Sequence, residues 1–113
     1  MVNEKVYKKL IEVAKRESTI TYSDLNNECD LNIIFEGDKG GKEIGEILGE
    51  ISKREFENKR PLISAVVVMK GSHPPNPSHG FYTLAEELNL IKEKKEIFYA
   101  KELKKVFDYW KKH

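Results

Sequence analysis

The sequence predicts an α+β fold, a single winged helix-turn-helix-like domain with a long C-terminal helix. Three observations support this prediction. The 113 residues suffice for one domain with one core. Helical apolar patterns precede a single β-branched run, and a proline-rich segment follows that run, where a wing would turn. We expect one domain over residues 1–113, with its core over about residues 3–90 and the last helix over about residues 92–112.

Three helices are expected in the first half of the chain. Val6, Leu10 and Val13 recur at helical spacing and form one apolar stripe. Thr21 and Asp24 have the spacing of a capping box, in which the hydroxyl accepts a hydrogen bond from a backbone amide. A third stripe follows a glycine-rich loop and stops before a proline, because the residue before proline avoids helical geometry. The predicted helices span about residues 3–17, 22–28 and 42–58.

The third helix carries a stripe of glycines. Gly41, Gly45 and Gly49 recur every four residues and therefore share one face. Each glycine costs about 1 kcal/mol of helix stability relative to alanine. This cost indicates that something approaches the face closely. A neighbouring helix of the same chain is favoured over an approaching partner.

The second half of the chain supplies the predicted strands of the wing. Residues 62–69 (LISAVVVM) are β-branched and apolar on both faces, which predicts a strand that forms the buried spine of the domain. The proline-rich residues 70–80 predict the tip of the wing, and Phe81 and Tyr82 predict the returning strand. The remaining residues predict helices over about residues 84–88 and 92–112.

Charge is unevenly distributed although the net charge is only +1. Residues 17–57 contain eleven acidic and four basic residues, whereas residues 58–82 contain three basic residues and no acid. No apolar run approaches the roughly 18 residues of a membrane span, and the first residues lack the apolar stretch of a signal peptide. The single cysteine suits a reducing compartment. We expect a cytoplasmic protein that does not bind membranes.

The sequence contains no constellation typical of catalysis or of a metal site. Cys29 lies between Glu28 and Asp30, whose charges oppose formation of a thiolate. His73 and His79 flank the prolines at a spacing that suits no ordinary zinc site. We therefore expect no catalytic residue, no metal and no cofactor, and we favour a non-enzymatic role without excluding an enzyme.

Three short motifs, TYSDL (residues 21–25), GKEIGEIL (residues 41–48) and PLISAVV (residues 61–67), resemble the C-terminal winged-helix domain of the alkylguanine-DNA alkyltransferase and alkyltransferase-like family. TYSDL (residues 21–25) is similar to that family's TYG-[DE]-[IL] segment, and GKEIGEIL (residues 41–48) is similar to its A-R-x-V-G-x-A-L helix. PLISAVV (residues 61–67) is similar to P-C-H-R-V-V, or to P-W-H-R-V-V in the non-reactive members. The resemblance covers about residues 5–71 and implies a DNA-binding domain.

The same resemblance excludes alkyl transfer. Leu62 occupies the position of the nucleophilic cysteine, and Ile63 occupies that of the following histidine. Lys42 stands at the position of the family's base-flipping arginine, so the charge is kept but the planar head is lost.

A second, more specific resemblance covers about residues 19–90. The tract over residues 61–68, the proline loop over residues 73–78 and Gly80-Phe81-Tyr82 are similar to P-L-[LIT]-[ST]-A-[LIV]-V-V, a Pro/Gly loop and G-F-[FY] in a small bacterial and phage module. That module occurs alone or beside nuclease domains in mobile-element and defence contexts. The resemblance implies a phage-related or mobile-element setting and no assigned activity.

Two binding functions follow. The first is nucleic-acid binding led by the wing, because the third helix carries a net charge of −2 and phosphates repel carboxylates. The alternative is a protein–protein interaction module, such as a defence or anti-defence factor, with the same fold and no nucleic-acid binding. The predicted nucleic-acid-binding residues are Lys42, Lys59, Arg60, Lys70, His73 and His79.

Overall fold

Five α-helices pack around one buried apolar segment in the computed structural model, which describes residues 2–34, 39–72 and 74–113. The predicted α+β winged helix-turn-helix-like fold is wrong. The described residues are mostly helical, and their two short strands pair in parallel, so they form no antiparallel wing. The elements are α1 (Glu4–Lys15), β1 (Ile20–Thr21), α2 (Tyr22–Glu28), α3 (Lys39–Glu57), a 3₁₀ helix (Ile63–Val66), β2 (Val67–Val68), α4 (His79–Glu87) and α5 (Lys95–Lys112).

Local capping places the first two helices. The side chain of Asn3 accepts a hydrogen bond from the amide of Val6 at 3.1 Å, which starts α1. The hydroxyl of Thr21 accepts from the amide of Asp24 at 3.1 Å. The expected start and extent of α2 are therefore confirmed. Helix α1 ends earlier than expected because the chain turns at Glu17, which has a φ of +52°.

The predicted strand over residues 62–69 is wrong, although its burial is confirmed through Val68. Half of the segment forms the 3₁₀ helix, and the amide of Leu62 donates to the buried carboxylate of Glu102 at 2.8 Å. Within this segment only β2 joins a sheet, and it pairs with β1 in the register Ile20 to Val67. Because α1, α3 and α5 all pack on the 3₁₀ helix, side chains are buried on every side. Residues 62–68 are apolar on all sides because helices surround the segment, and not because the segment is a strand.

The predicted wing is replaced by a turn and a helix. Phe81 and Tyr82 lie in α4 and not in a returning strand. Phe81 packs edge-on against Tyr99 of α5, with ring centroids 5.8 Å apart. Phe81 and Tyr82 are both buried, and their burial in the aromatic core favours the helical conformation over a returning strand.

The glycine stripe of α3 is not closely covered by another element in the described part of the chain, although Gly45 and Gly49 line a small cavity that α4 borders on the other side. A Cβ atom placed on Gly41, Gly45 or Gly49 would meet no heavy atom of another element within 4 Å. The favoured expectation of a closely packed neighbouring helix is therefore wrong. Approach by a partner stays a prediction. The expected loop before α3 falls partly on residues 35–38, which lie outside the described residues.

Candidate functional site

An apolar groove of about 810 Å³, called the α5 groove below, runs between α5 and the loop that follows β2. One wall is a single stripe of α5, formed by Tyr99, Ala100, Leu103 and Phe107 at spacings of three and four residues. The opposite wall is formed by Ser72 and residues 74–76. Apolar cavities of a few hundred to about a thousand cubic ångströms are typical of binding sites.

Hydrogen bonds within the loop hold the second wall in place. The amide of Met69 donates to the carbonyl of Asn76 at 2.9 Å. Ser72 Oγ donates to the carbonyl of Met69 at 2.8 Å and accepts from the amide of Asn76 at 3.1 Å. The Tyr82 hydroxyl donates to Asn76 Oδ1 at 2.8 Å. Because four hydrogen bonds already fix this wall, little conformational entropy is lost when an occupant binds.

Tyr99, in the α5 wall of the groove, is held by a hydrogen bond within the fold. Its hydroxyl donates to the carbonyl of Ala65 at 2.8 Å, and the side chain is buried. Burial raises the pKa of Tyr99 well above its usual range. The Tyr99 hydroxyl is therefore engaged within the fold, and it holds its proton more tightly than an exposed tyrosine does.

Charged residues lie along the edges of the α5 groove. Glu96, Asp108 and Glu17 contribute carboxylates, and Lys104 contributes the one ammonium group among the lining residues. Lys104 pairs with Asp108 at 3.0 Å. Glu96 makes no ion pair with any described residue. The edges of the groove are therefore acidic.

A second cavity, of about 430 Å³, brings together two of the predicted nucleic-acid-binding residues. Lys59 and Arg60 line it with Lys105 and the rings of Phe56 and Tyr109. Glu102 and Asp108 also line this cavity, and Lys105 lies 4.0 Å from the Glu102 carboxylate. The name basic cavity below refers to the three cations and the two rings. Phe56 is 38% exposed, so an aromatic ring lies open beside cations.

Arg60 is already paired within the fold. Its Nε donates to Glu55 Oε2 at 3.0 Å, and its Nη2 donates to Glu55 Oε1 at 2.8 Å. Glu55 is fully buried, and the Tyr7 hydroxyl also donates to it, at 2.9 Å. Burial and this hydrogen bond raise the pKa of Tyr7 to about 12. Two of the three guanidinium nitrogens of Arg60, Nε and Nη2, thus donate to a carboxylate within the fold.

The other predicted residues are dispersed. Lys42 lies exposed in the first turns of α3, Lys70 in the turn after β2, and His79 at the start of α4. His73 lies outside the described residues. The described structure therefore brings only Lys59 and Arg60 into one cavity. The sequence analysis missed the α5 groove, although the stripe of Tyr99, Leu103 and Phe107 is visible in the sequence.

Clustered metal ligands and reactive thiols are absent among the described residues. They contain no group of three histidine, cysteine or acidic residues able to hold a metal. Cys29 is buried, and burial raises the pKa of its thiol. None of the helices over residues 2–34, 39–72 and 74–113 combines the length and the apolar character of a membrane span.

Comparison of the chain with protein-family models, with curated proteins and with solved structures finds no match.

Proposed function

We propose that the protein is a non-catalytic interaction module that binds an apolar segment of another protein in the α5 groove. The observation that carries this proposal is the groove itself, in which an apolar stripe of α5 faces a wall that is already fixed. Its volume of about 810 Å³ accommodates a short run of apolar side chains. The acidic edges repel the phosphates of nucleic acid, which makes a protein the better occupant.

The test is selection of peptide ligands. A displayed library of random 12-residue peptides is panned on the wild-type protein, and the enriched sequences are compared with those from Ala100→Trp. Ala100 is exposed in the groove, so the indole fills the groove without emptying the core. We expect enrichment of apolar peptides on the wild type and its loss in Ala100→Trp.

Ile97→Trp is the matched control. Ile97 lies on the same helix, is 44% exposed and does not line the groove. This variant should select the same peptides as the wild type. Equal selection by all three proteins, or no selection by any, would contradict the proposal. Thermal melting of each variant verifies that the fold is retained.

Nucleic-acid binding is the second candidate, and the basic cavity favours it. Lys59 and Lys105 flank the exposed ring of Phe56, on which a nucleic-acid base can stack. The resemblance to the alkyltransferase domain adds no support to this candidate, because the winged-helix fold that it implies is wrong.

Fluorescence anisotropy with generic duplex and single-stranded DNA at low and moderate salt tests this candidate. The doubly substituted Lys59→Gln/Lys105→Gln protein should bind more weakly, with a salt slope about two units smaller, because each lost phosphate contact removes about one unit. Lys53→Gln/Lys112→Gln removes the same charge elsewhere and should bind like the wild type. Absence of salt-dependent binding at micromolar wild-type protein would eliminate this candidate.

A further inference from the structure

The charges of the α5 groove identify the kind of protein segment that fits it. Glu96 lies at the N-terminal end of the α5 stripe. Glu17 lies at the other end, because its carboxylate is 3.9 Å from Lys111 in the last turn of α5. Asp108 is also near that end, but Lys104 already neutralises it. A carboxylate therefore stands at each end of an apolar channel.

Neither terminal carboxylate is firmly engaged within the chain. Glu96 makes no ion pair with a described residue. Glu17 and Lys111 are both more than half exposed and only loosely apposed. Such exposed pairs contribute little stability. A cation brought by an occupant can replace Lys111 at small cost.

We propose that the occupant is a protein segment whose apolar residues lie between lysine or arginine residues. This inference rests on the proposed function of the groove and adds the charge of the partner. The part of α5 that lines the groove, from Glu96 to Asp108, covers twelve helical steps, about 18 Å. An extended segment of about five or six residues spans that length. The partner therefore presents about five apolar residues with a basic residue at each end.

Three pools of synthetic peptides serve as probes. All share a centre of five randomised apolar residues, which is flanked on each side by two lysines, two serines or two glutamates. Dissociation constants are measured by fluorescence anisotropy at low salt. We expect the lysine-flanked pool to bind tightest and the glutamate-flanked pool to bind weakest. Glu96→Gln and Glu17→Gln should each weaken the lysine-flanked pool about two- to fivefold, the range of an exposed ion pair.

Glu87→Gln is the control, since Glu87 is an exposed acid that does not line the groove. It should leave all three affinities unchanged. Equal affinity for the three pools, with loss of binding in Ala100→Trp, would overturn the inference and leave the groove function standing. Failure of every pool to bind, or indifference to Ala100→Trp, would overturn both. A wild-type dimer that Ala100→Trp converts to a monomer would assign the groove to a second copy and also overturn the inference.

Discussion

At the scale of single residues, the fold depends on one buried carboxylate. Glu55 is 0% exposed and accepts hydrogen bonds from Arg60 and Tyr7, while the Arg54 guanidinium lies over the Tyr7 ring at 4.6 Å. A buried charge is tolerated only when it is paired and fully hydrogen-bonded. Arg60, predicted from the sequence to contact nucleic acid, therefore has a structural partner that explains its position.

Arg60→Ala should destabilise the protein strongly. The substitution leaves the buried Glu55 carboxylate without its cation, at a cost of about 3 kcal/mol. Urea unfolding followed by circular dichroism measures the loss. Lys53→Ala removes an exposed cation of α3 and should change the free energy of unfolding by less than about 0.5 kcal/mol. A loss in Arg60→Ala no larger than in this control would show that Glu55 does not depend on Arg60.

The Tyr7 hydroxyl predicts a pH dependence at the alkaline end. Its pKa is raised from 10.0 to about 12 by burial and by the hydrogen bond to Glu55. The folded protein holds this proton more tightly than the unfolded chain does. The contribution of the Tyr7 hydroxyl to the free energy of unfolding is therefore complete below pH 10.0 and is lost as the pH rises towards 12. Tyr7→Phe should therefore lose less stability than the wild type over that interval. Parallel curves of unfolding free energy against pH would contradict this prediction.

At the scale of elements, α3 carries glycines that its own packing does not require. Nothing within 4 Å would oppose a Cβ on Gly45 or Gly49. Glycine in the interior of a helix is less favourable than alanine by about 1 kcal/mol, because more backbone freedom is lost on folding. The glycines therefore lower the stability of α3 relative to alanine at the same positions.

Gly45→Ala and Gly49→Ala should each stabilise the protein by about 0.5 to 1 kcal/mol. Thermal and urea unfolding of the two single variants and of the double variant provide the measurement. Gly71→Ala is the opposite control, since Gly71 has a φ of +75° in the turn after β2 and an alanine there is strained. Destabilisation by the two α3 substitutions would mean that the face is more crowded than the described contacts indicate.

At the scale of the whole molecule, residues 62–68 join the helices into one core. The 3₁₀ helix contacts α1, α3 and α5, and β2 contacts β1 and α2. The hydroxyl groups of Ser52 and Ser64 form a buried hydrogen bond of 2.6 Å with each other. Because one segment is shared by these contacts, a defect in it disrupts several helices at once.

Val67→Asp should abolish cooperative folding. Val67 is 0% exposed and its surroundings are apolar, so an aspartate there would be a buried charge without a partner. Met69→Asp, two residues away at a position 41% exposed, should fold like the wild type. Circular dichroism melting distinguishes the two. A Val67→Asp protein that melts within a few degrees of the wild type would show that this segment is not the spine.

Features that depend on neighbouring residues were predictable from the sequence. The cap of α2 follows from Thr21 and Asp24, which are three residues apart, and its geometry is local. The apolar stripe of α5 follows from helical periodicity. The burial of residues 62–68 follows from their hydropathy alone, since a run this apolar is removed from water in any compact fold.

The conformation of that run, and both candidate binding surfaces, were decided by tertiary structure. Enclosure by three helices, and not β-propensity, sets the 3₁₀ conformation, and β2 pairs with a strand from the other half of the chain. Glu55 meets Tyr7 across 48 positions of sequence, and the α5 groove exists only where a folded loop faces a helix. The sequence by itself determined the burial of residues 62–68 and the cap of α2, whereas the burial of Glu55 and Glu102 and the exposure of Met69 were not predictable from it. Tertiary structure decided the partners of those residues, because contacts between distant segments leave no periodic signal in one sequence.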